Sequence, residues 1–362
     1  MENINYLLRF NQLFDYIGPT RLKRLISVYG DIQKAWENLD ETGLRKVGVE
    51  EGSINKIKDQ RAKIKDINKA EIQSRGITPI DIEHKMYPKR LKDIYDPPYL
   101  LFVRGEILPE DEIAIGVVGS RKMTRYGEDV CKEFVSELAS SGVTIVSGLA
   151  LGIDACAHEA ALSAGGRTIA VLASGVDKIT PTANQQLADT IINSGRGAVI
   201  SEFPLGKDPE PYYFPIRNRI ISGICQGVLV IEAAEKSGAL ITASCAADQG
   251  REVYTVPGSI FSPMSFGTNQ LAKKGAKVVI SASEILEELD ISLKIQNIEA
   301  RKTLPETESE KRIVEVLDSG EKHMDEIAKA LNISSSVVSS DLTLMEIKGI
   351  VKNIGAGVYR NA

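Results

Sequence analysis

Short apolar runs rich in β-branched residues alternate with longer helical segments between residues 113 and 280. Seven of these runs are predicted strands: Ile113–Val118, Val143–Val146, Thr168–Leu172, Ala198–Ile200, Val228–Ile231, Val253–Val256 and Val278–Ile280. The segments between them are long enough for crossover helices, which predicts a mainly parallel sheet covered by helices on both faces. Ligands of such sheets bind outside the carboxyl ends of the strands, so candidate functional residues are sought there.

Composition excludes several classes of protein. The chain has 362 residues, of which 43% are apolar and 26% charged, so it is neither disordered nor fibrous. Its apolar runs are far shorter than the roughly 18 residues that span a bilayer, and the N-terminus lacks a signal-peptide pattern, so we expect a cytoplasmic protein without a membrane partner. Four scattered cysteines and three histidines predict no disulfide framework, no metal site and no cofactor.

The acidic net charge of the chain at first argues against a protein that binds nucleic acid. The whole chain has a formal net charge of −5. Residues 106–290 contain 15 basic and 23 acidic residues, so the predicted sheet region alone has a net charge of −8. This balance excludes a broadly basic, groove-wrapping protein, whereas a pocket needs only a few arginines at the strand ends.

Changes in charge and in hydrophobic periodicity along the chain predict four segments: a helical domain over 1–75, the sheet domain over 76–290, a polar linker over 291–308 and a small domain over 309–362. In the first segment, Tyr16–Pro19 and Val47–Val49 each place a glycine turn before a helix. The pattern fits a helix-hairpin-helix unit that binds phosphate. An ordinary helical packing unit explains the same residues and is favoured, because the turns lack flanking basic clusters. The sequence leaves both interpretations open.

The C-terminal segment has the element order of a winged helix. Helices are predicted over 309–317, 324–331 and 334–348, followed by a short β-wing over 350–359, with Ser309 and Ser334 as N-caps. The third helix has one lysine against Asp341 and Glu346. A helix that reads DNA should be basic, so a protein-contact or accessory role is favoured over base readout.

The residues after the first two strands point to an anion site. Gly119 and Ser120 let the backbone approach an anion, and Arg121 offers a bidentate fork for phosphate. There is no G-x-G-x-x-G motif and no acidic residue at the end of the second strand, so a dinucleotide site is disfavoured. Asp154 and His158 stand at i and i+4, where a capping carboxylate beside a hydrogen-bonded histidine is favoured over a catalytic or metal-binding pair.

Aromatic and cationic residues then alternate. Tyr212, Tyr213 and Phe214 are followed by Arg217, Asn218 and Arg219, a mixture that suits single-stranded nucleic acid because rings stack on bases and arginines bind phosphates. A buried aromatic cluster with structural ion pairs explains the same residues and stays open. Further on, Ser237, Gly238 and Thr242 follow a strand and are typical of an anion-binding helix N-terminus.

An ordered set of motifs covers residues 100–290: Gly119–Arg121, Val146–Asp154 with Ala157 and His158, Thr168–Leu172, Ser201–Phe203, Phe214–Ile221, Ser237–Ala243, Gly250–Val253 and Val256–Gly258. Together they resemble the DprA/Smf family of DNA-processing proteins. The resemblance implies an α/β fold that is built on an extended Rossmann-like sheet with mainly parallel strands. The flanking segments would be an N-terminal SAM or helix-hairpin-helix domain and a C-terminal winged helix.

The resemblance also implies a function and a site. It implies a dimeric protein that binds and protects single-stranded DNA and loads the RecA recombinase in natural transformation. The implied DNA-binding residues are Gly119, Ser120, Arg121, Phe214, Arg217, Asn218 and Arg219, with Lys236, Ser237 and Gly238 added as walls of the pocket. No catalytic residue is implied.

One enzymatic alternative is kept. The predicted sheet also resembles nucleotide-processing Rossmann enzymes of the nucleoside monophosphate phosphoribohydrolase type, and a pocket with Arg121, Glu202 and Glu232 would suit a nucleoside monophosphate. The Pro-Gly-Gly-x-Gly-Thr-x-x-Glu signature of that group is missing, and Ser237–Thr242 stands in its place.

Overall fold

The computed structural model describes residues 2–64, 69–289, 307–318, 320–347, 350–355 and 357–361. The chain divides into two compact units, residues 1–289 and residues 290–362. The linker predicted over 291–308 lies outside the described residues except for its last two positions. Within these ranges, no helix combines the length and apolar character that a membrane span requires.

Six short helices open the first unit: Glu2–Asn11 (α1), Pro19–Tyr29 (α2), Ile32–Glu37 (α3), Glu41–Lys46 (α4), Glu51–Arg61 (α5) and Lys69–Ser74 (α6). The carboxylates of Asp31 and Asp40 cap α3 and α4 by accepting backbone hydrogen bonds. Glu50 and Glu51 stand at the start of α5, where a bound phosphate would meet like charge. That placement favours the packing interpretation of the second glycine turn.

The helices share a hydrophobic core with the sheet. Leu13, Leu25 and Ile54 are fully or almost fully buried, in one cluster with Phe102 and Val199 of the strands described next. Burial of such side chains contributes about 1.5–3 kcal/mol each. The N-terminal helices therefore form one folded body with the sheet.

A nine-stranded sheet is the centre of the first unit. Its strands are Thr78–Asp81 (β1), Leu100–Gly105 (β2), Ala114–Val118 (β3), Thr144–Ser147 (β4), Thr168–Val171 (β5), Gly197–Ser201 (β6), Gly227–Val230 (β7), Glu252–Thr255 (β8) and Lys277–Val278 (β9). Their order is β1-β2-β6-β5-β4-β3-β7-β8-β9. Strands β3 to β9 pair in parallel, as predicted, whereas β1 and β2 pair antiparallel and were not predicted.

Helices lie in the connections between the strands: Lys89–Lys92 (α7), Arg125–Ser140 (α8), Ile153–Ser163 (α9), Gln185–Asn193 (α10), Tyr213–Ile224 (α11), Gly238–Asp248 (α12) and Phe266–Lys273 (α13). A last helix, Ala282–Glu288 (α14), follows β9. Every residue of β3 to β7 is buried, which explains why these strands read as continuous apolar runs. The extended Rossmann-like, mainly parallel fold is confirmed.

The chain order of the strands creates a crevice. From β3 the chain continues to β4 on one side, and from β7 it continues to β8 on the other side. Because β3 and β7 are neighbours, their connections diverge and leave a gap at their carboxyl ends. This position is where ligands of open α/β sheets bind.

The second unit contains helices Glu308–Leu317 (α15), Met324–Leu331 (α16) and Ser335–Ile347 (α17), and strands Lys322–His323 (β10), Val351–Gly355 (β11) and Val358–Asn361 (β12). The strands pair antiparallel in the order β10-β12-β11. Ser309 is not the N-cap of the first helix: Thr307 caps it in a capping box with Glu310, and Ser309 lies within the first turn. The winged-helix assignment stays a prediction.

Candidate nucleic-acid interface

A cavity of about 560 Å³ lies at the divergence of β3 and β7. Nine of the ten predicted DNA-binding residues line it: Gly119, Ser120, Arg121, Phe214, Arg217, Asn218, Lys236, Ser237 and Gly238. Three segments supply them, namely the loop after β3, the first turns of α11 and the start of α12. The fold thus brings together residues that are about a hundred positions apart in the sequence.

The loop after β3 is held in one shape by hydrogen bonds. Ser120 Oγ accepts from the backbone N–H of Lys122 at 3.0 Å. At the end of the loop, Glu232 accepts from the Thr124 N–H at 2.9 Å and from the Thr124 hydroxyl at 2.5 Å. Arg121 extends from this fixed loop into solvent at the cavity mouth.

Phe214 faces two guanidinium groups across the cavity. Arg121 lies 5.0 Å and Arg217 lies 5.9 Å from the centroid of the Phe214 ring. Both distances allow cation–π attraction, which orients the exposed Arg121 beside an aromatic face. Among the described residues, no carboxylate forms an ion pair with Arg121, so its guanidinium remains available to a phosphate.

Arg217 forms the cavity floor. Its Nη1 donates to the carbonyl oxygen of Gly148 at 2.7 Å and also to that of Val171, and its Nε donates to Asn218 Oδ1 at 3.1 Å. Burial lowers the pKa of Arg217 to about 10, with Asp154 acting in the opposite direction. The guanidinium therefore stays charged at neutral pH and contributes positive potential from a fixed position.

The start of α12 supplies backbone donors. Ser237 is its N-cap and accepts a hydrogen bond from the Ala239 N–H at 3.3 Å. Asn218 donates to the Gly238 carbonyl at 3.3 Å, which ties this turn to α11. An eleven-residue helix beginning at the cavity wall favours an anion there, and the exposed Lys236 adds a full charge.

Asp154 and His158 have structural roles and do not contact each other through hydrogen bonds. Asp154 is buried and its Oδ2 accepts from the Gly148 N–H at 3.1 Å. Burial raises the pKa of Asp154, and Arg217 opposes that shift. His158 Nδ1 lies 2.6 Å from Thr168 Oγ1. The histidine is hydrogen-bonded, as the favoured interpretation expects, but Asp154 is not a helix cap: Gly152 is the N-cap of α9, and the Asp154 carboxylate bonds to the loop before the helix.

Arg219 does not line the cavity, contrary to the predicted site. It is buried, its Nη2 donates to Glu202 Oε2 at 2.6 Å, and its Nε lies 3.1 Å from Asp96 Oδ2. The reason is helical periodicity: Phe214, Arg217 and Asn218 stand at i, i+3 and i+4 on one face of α11, whereas Arg219 is turned about 200° from Arg217. The interpretation as structural ion pairs thus applies to Arg219, whereas Phe214, Arg217 and Asn218 face the cavity.

The carboxylates of the enzymatic alternative are also engaged elsewhere. Glu202 is buried against Arg219, and burial raises its pKa despite that partner. Glu232 is buried and bonded to Thr124. Neither residue lines the cavity, so Arg121 has neither of the proposed acids beside it.

Some lining residues were not foreseen as site residues. They are Val118, Lys122, Ala150, Pro215, Ile221, Ala234, Ala239, Ile241 and Met264. Met264 comes from the loop after β8 and accepts a hydrogen bond from Ser120 Oγ at 3.4 Å. Its position beyond the carboxyl end of a predicted strand was the available signal, but an isolated methionine has no recognisable binding pattern.

Comparison with known proteins gives one matching family model. Residues 78–290 match the model of DNA recombination-mediator protein A. DNA processing protein DprA of Bacillus subtilis is 47% identical over 221 residues, which cover 61% of this chain and 74% of that protein.

Two solved structures are also similar. DNA processing protein A of Streptococcus pneumoniae matches with a TM-score of 0.64 and 34% identity, covering 77% of this chain and 96% of that one. DNA processing protein A of Helicobacter pylori, whose structure concerns its unique single-stranded DNA binding mode, matches with a TM-score of 0.53 and 28% identity, covering 59% and 95%.

Proposed function

Because this chain belongs to the DNA recombination-mediator protein A family, which is the DprA/Smf family, we propose that it binds single-stranded DNA in the cavity between β3 and β7. The observation that carries the proposal is the Arg121–Phe214 pair at the cavity mouth, 5.0 Å from guanidinium carbon to ring centroid. A single strand offers unstacked bases to the ring and phosphates to the guanidinium. A duplex hides its base faces and is not expected to fit.

Binding without chemistry is part of the proposal. The cavity lining contains one carboxylate among the described residues, that of Asp154, and its Oδ2 is bonded to backbone N–H. The family resemblance and the single-stranded DNA binding of the Helicobacter pylori relative support a binding role over nucleotide processing.

We test the proposal with fluorescence anisotropy of a labelled oligothymidylate and of a duplex of equal length. The parent should prefer the single strand, and log affinity should fall with log salt at about −0.7 per phosphate neutralised. Arg121→Glu should weaken binding and flatten that slope, because it removes a phosphate contact. Phe214→Ala should weaken binding and leave the slope unchanged, because it removes a stacking contact.

The matched control is Arg196→Glu. This exposed arginine precedes β6 and therefore lies at the amino end of the parallel strands, opposite the cavity. Arg196→Glu makes the same charge change as Arg121→Glu. Because Arg196 lies away from the cavity, the affinity for the single strand should stay near that of the parent. Near-parental affinity in both Arg121→Glu and Phe214→Ala would refute the assignment of the cavity.

The cellular role proposed is that of a cytoplasmic homodimer that protects incoming single strands and loads RecA in natural transformation or recombination. The family description as a recombination mediator supports this role. Light scattering measures the mass of the protein in solution, which should be that of a dimer. For loading, the parent should shorten the lag of RecA ATP hydrolysis on a strand already covered by a single-strand-binding protein, and Arg121→Glu should not. An unshortened lag with the parent would contradict the loading role.

A further inference from the structure

The turn Ser259–Ser262, between β8 and α13, presents two apolar side chains to solvent. Ile260 is 83% exposed and Phe261 is 90% exposed, the highest values among the large hydrophobic residues of the described chain. Single exposed apolar residues are ordinary on protein surfaces. What distinguishes this pair is where the turn is anchored.

Hydrogen bonds fix the first end of the turn to α8 and α13. The Tyr126 hydroxyl donates to the Pro257 carbonyl at 2.8 Å, and Asn269 Nδ2 donates to the Gly258 carbonyl at 3.1 Å. Tyr126 belongs to the first turn of α8, directly after the loop that carries Arg121. The turn is therefore attached to the same segment as the phosphate-facing arginine.

The other end of the turn enters the cavity wall. Met264 lines the cavity, and its backbone carbonyl accepts from the Ala233 N–H at 2.8 Å. Its sulfur accepts from Ser120 Oγ at 3.4 Å. Between the two anchors, Phe261 N–H donates to Ser259 Oγ at 3.2 Å, which closes the turn locally. Both ends are thus held at the site, and the exposed ring is presented at its rim.

Exposed cations lie on the chain segment to which the turn is bonded through Tyr126. Lys122 is exposed and lines the cavity, and Arg125 opens α8 with 91% of its side chain exposed, 3.7 Å from Asp129. Exposed ion pairs at such a distance are weak, so the arginine can also meet a phosphate. The segment to which the turn is bonded therefore carries exposed cations, and cations together with an aromatic ring are the groups that bind a single strand.

We propose that Phe261, with Ile260 beside it, stacks on a base of the same single strand after the strand leaves the cavity. The inference rests on the proposed function. Met264 is three positions after Phe261, a reach of at most about 11 Å. That reach equals about three stacked nucleotides at about 3.4 Å each.

A nucleobase fits this turn better than a protein partner does. One face of a specific protein interface covers about 800 Å², whereas an aromatic side chain buries about 150–250 Å². Two adjacent side chains on a narrow turn offer too little area for such an interface. A base needs only one planar face, and the exposed ring provides it on a turn whose backbone is already held by hydrogen bonds.

The test measures affinity against strand length, using oligothymidylates of about 4 to about 16 nucleotides. Phe261→Ala should bind the shortest strands as the parent does and lose about tenfold on the longest, the size expected for one lost stack. Phe261→Trp should restore the affinity, and its indole fluorescence should be quenched only by the longer strands. Tyr95→Ala, which removes another exposed ring (78%) from outside the cavity lining, is the control and should follow the parent.

The outcomes separate this inference from the proposed function. If the parent binds no single strand of any length, the proposed function fails. If the parent binds and Phe261→Ala matches it at every length, only the role of Phe261 fails. An equal loss at all lengths would also overturn the inference, since it would indicate a distorted cavity. So would normal DNA binding by Phe261→Ala combined with lost RecA loading, which would assign the turn to a protein partner.

Discussion

Arg217 and Arg219 stand two positions apart on α11 and have different surroundings. Arg217 is braced by carbonyl oxygens at the cavity floor, and Arg219 is paired with Glu202 and Asp96 on the far side of the helix. Residue types alone do not separate the two, because both are buried arginines in one aromatic-rich segment. The helical period does separate them, and applied from Phe214 it places Arg219 off the face of α11 that lines the cavity.

Removing Arg219 should affect stability and leave DNA binding intact. Arg219→Ala leaves the Glu202 carboxylate buried without its partner, so we expect a loss of about 3–5 kcal/mol in the free energy of unfolding, measured with urea. The folded fraction should bind oligothymidylate like the parent. Arg219→Met combined with Glu202→Gln removes both charges and should recover part of the stability. A large loss of DNA affinity in this double variant would return Arg219 to the site.

His158 should make stability depend on pH. Thr168 Oγ1 donates to the Ile145 carbonyl at 2.8 Å, so His158 Nδ1–H donates to Thr168, and Nε2 is buried without a partner. Burial, with Arg217 adding to the effect, lowers the pKa of His158 from 6.5 to about 3. As pH falls from 6.5 towards 3, the unfolded chain binds a proton that the folded chain does not bind. Stability contributed by neutral His158 is therefore lost over that window.

His158→Gln checks the argument. Its free energy of unfolding should fall less than that of the parent when pH is lowered from about 7 to about 4. The substitution lowers stability at neutral pH as well, so the comparison is between slopes. Parallel slopes would mean that other groups produce the acid sensitivity.

At the scale of elements, the site depends on how loops meet at the sheet edge. The alternation of apolar runs predicted all seven parallel strands, of which β3 to β7 are entirely buried, whereas β8 is partly buried and the edge strand β9 is exposed. It could not predict β1 and β2, since an antiparallel pair joined by a loop and the short α7 lies outside the strand–helix rhythm. Contacts between loops, such as Ser120 with Met264, depend on strand order, which the local sequence pattern does not contain.

Gly152 controls one of these loop contacts. It has φ +78°, and a Cβ there would lie 2.3 Å from the Ser120 carbonyl oxygen, a backbone atom that cannot turn away. Gly152→Ala should cost about 1 kcal/mol or more and should also weaken single-strand binding by displacing the Arg121 loop. Gly165→Ala is the matched control, with φ +79° and a nearest contact of 3.4 Å to a side chain. Gly165→Ala should lower the stability and leave the affinity for single-stranded DNA unchanged. Equal DNA affinity in the two variants would contradict the coupling.

At the scale of the whole molecule, the net charge and the predicted domain boundaries say less about the site than the positions of individual side chains in the fold. The chain is acidic, yet Arg121, Arg217 and Lys236 converge on one cavity. The sequence could place these residues at strand ends, but it could not indicate that the predicted helical domain over 1–75 shares its core with Phe102 and Val199. That core forms between segments far apart in the chain.

The two ends of the chain should therefore respond differently to truncation. All lining residues of the cavity belong to residues 1–289, so a chain ending at Leu289 should remain folded and keep its single-strand affinity. A chain starting at residue 76 would lack the apolar side chains that cover Phe102 and Val199, so these residues of the sheet would be exposed to water and the chain should not fold cooperatively. Thermal unfolding followed by circular dichroism distinguishes the two. A cooperative transition in the second truncation would contradict the shared core.

The most direct measurement of the central claim is photocrosslinking of a bromodeoxyuridine-substituted single strand to the full chain, with the attached peptides identified by mass spectrometry. We expect crosslinks to peptides that contain Phe214 or the Arg121 loop, and their loss in Phe214→Ala. Crosslinks confined to residues 2–64 or 307–361 would contradict the claim, because the strand would then bind outside the cavity between β3 and β7.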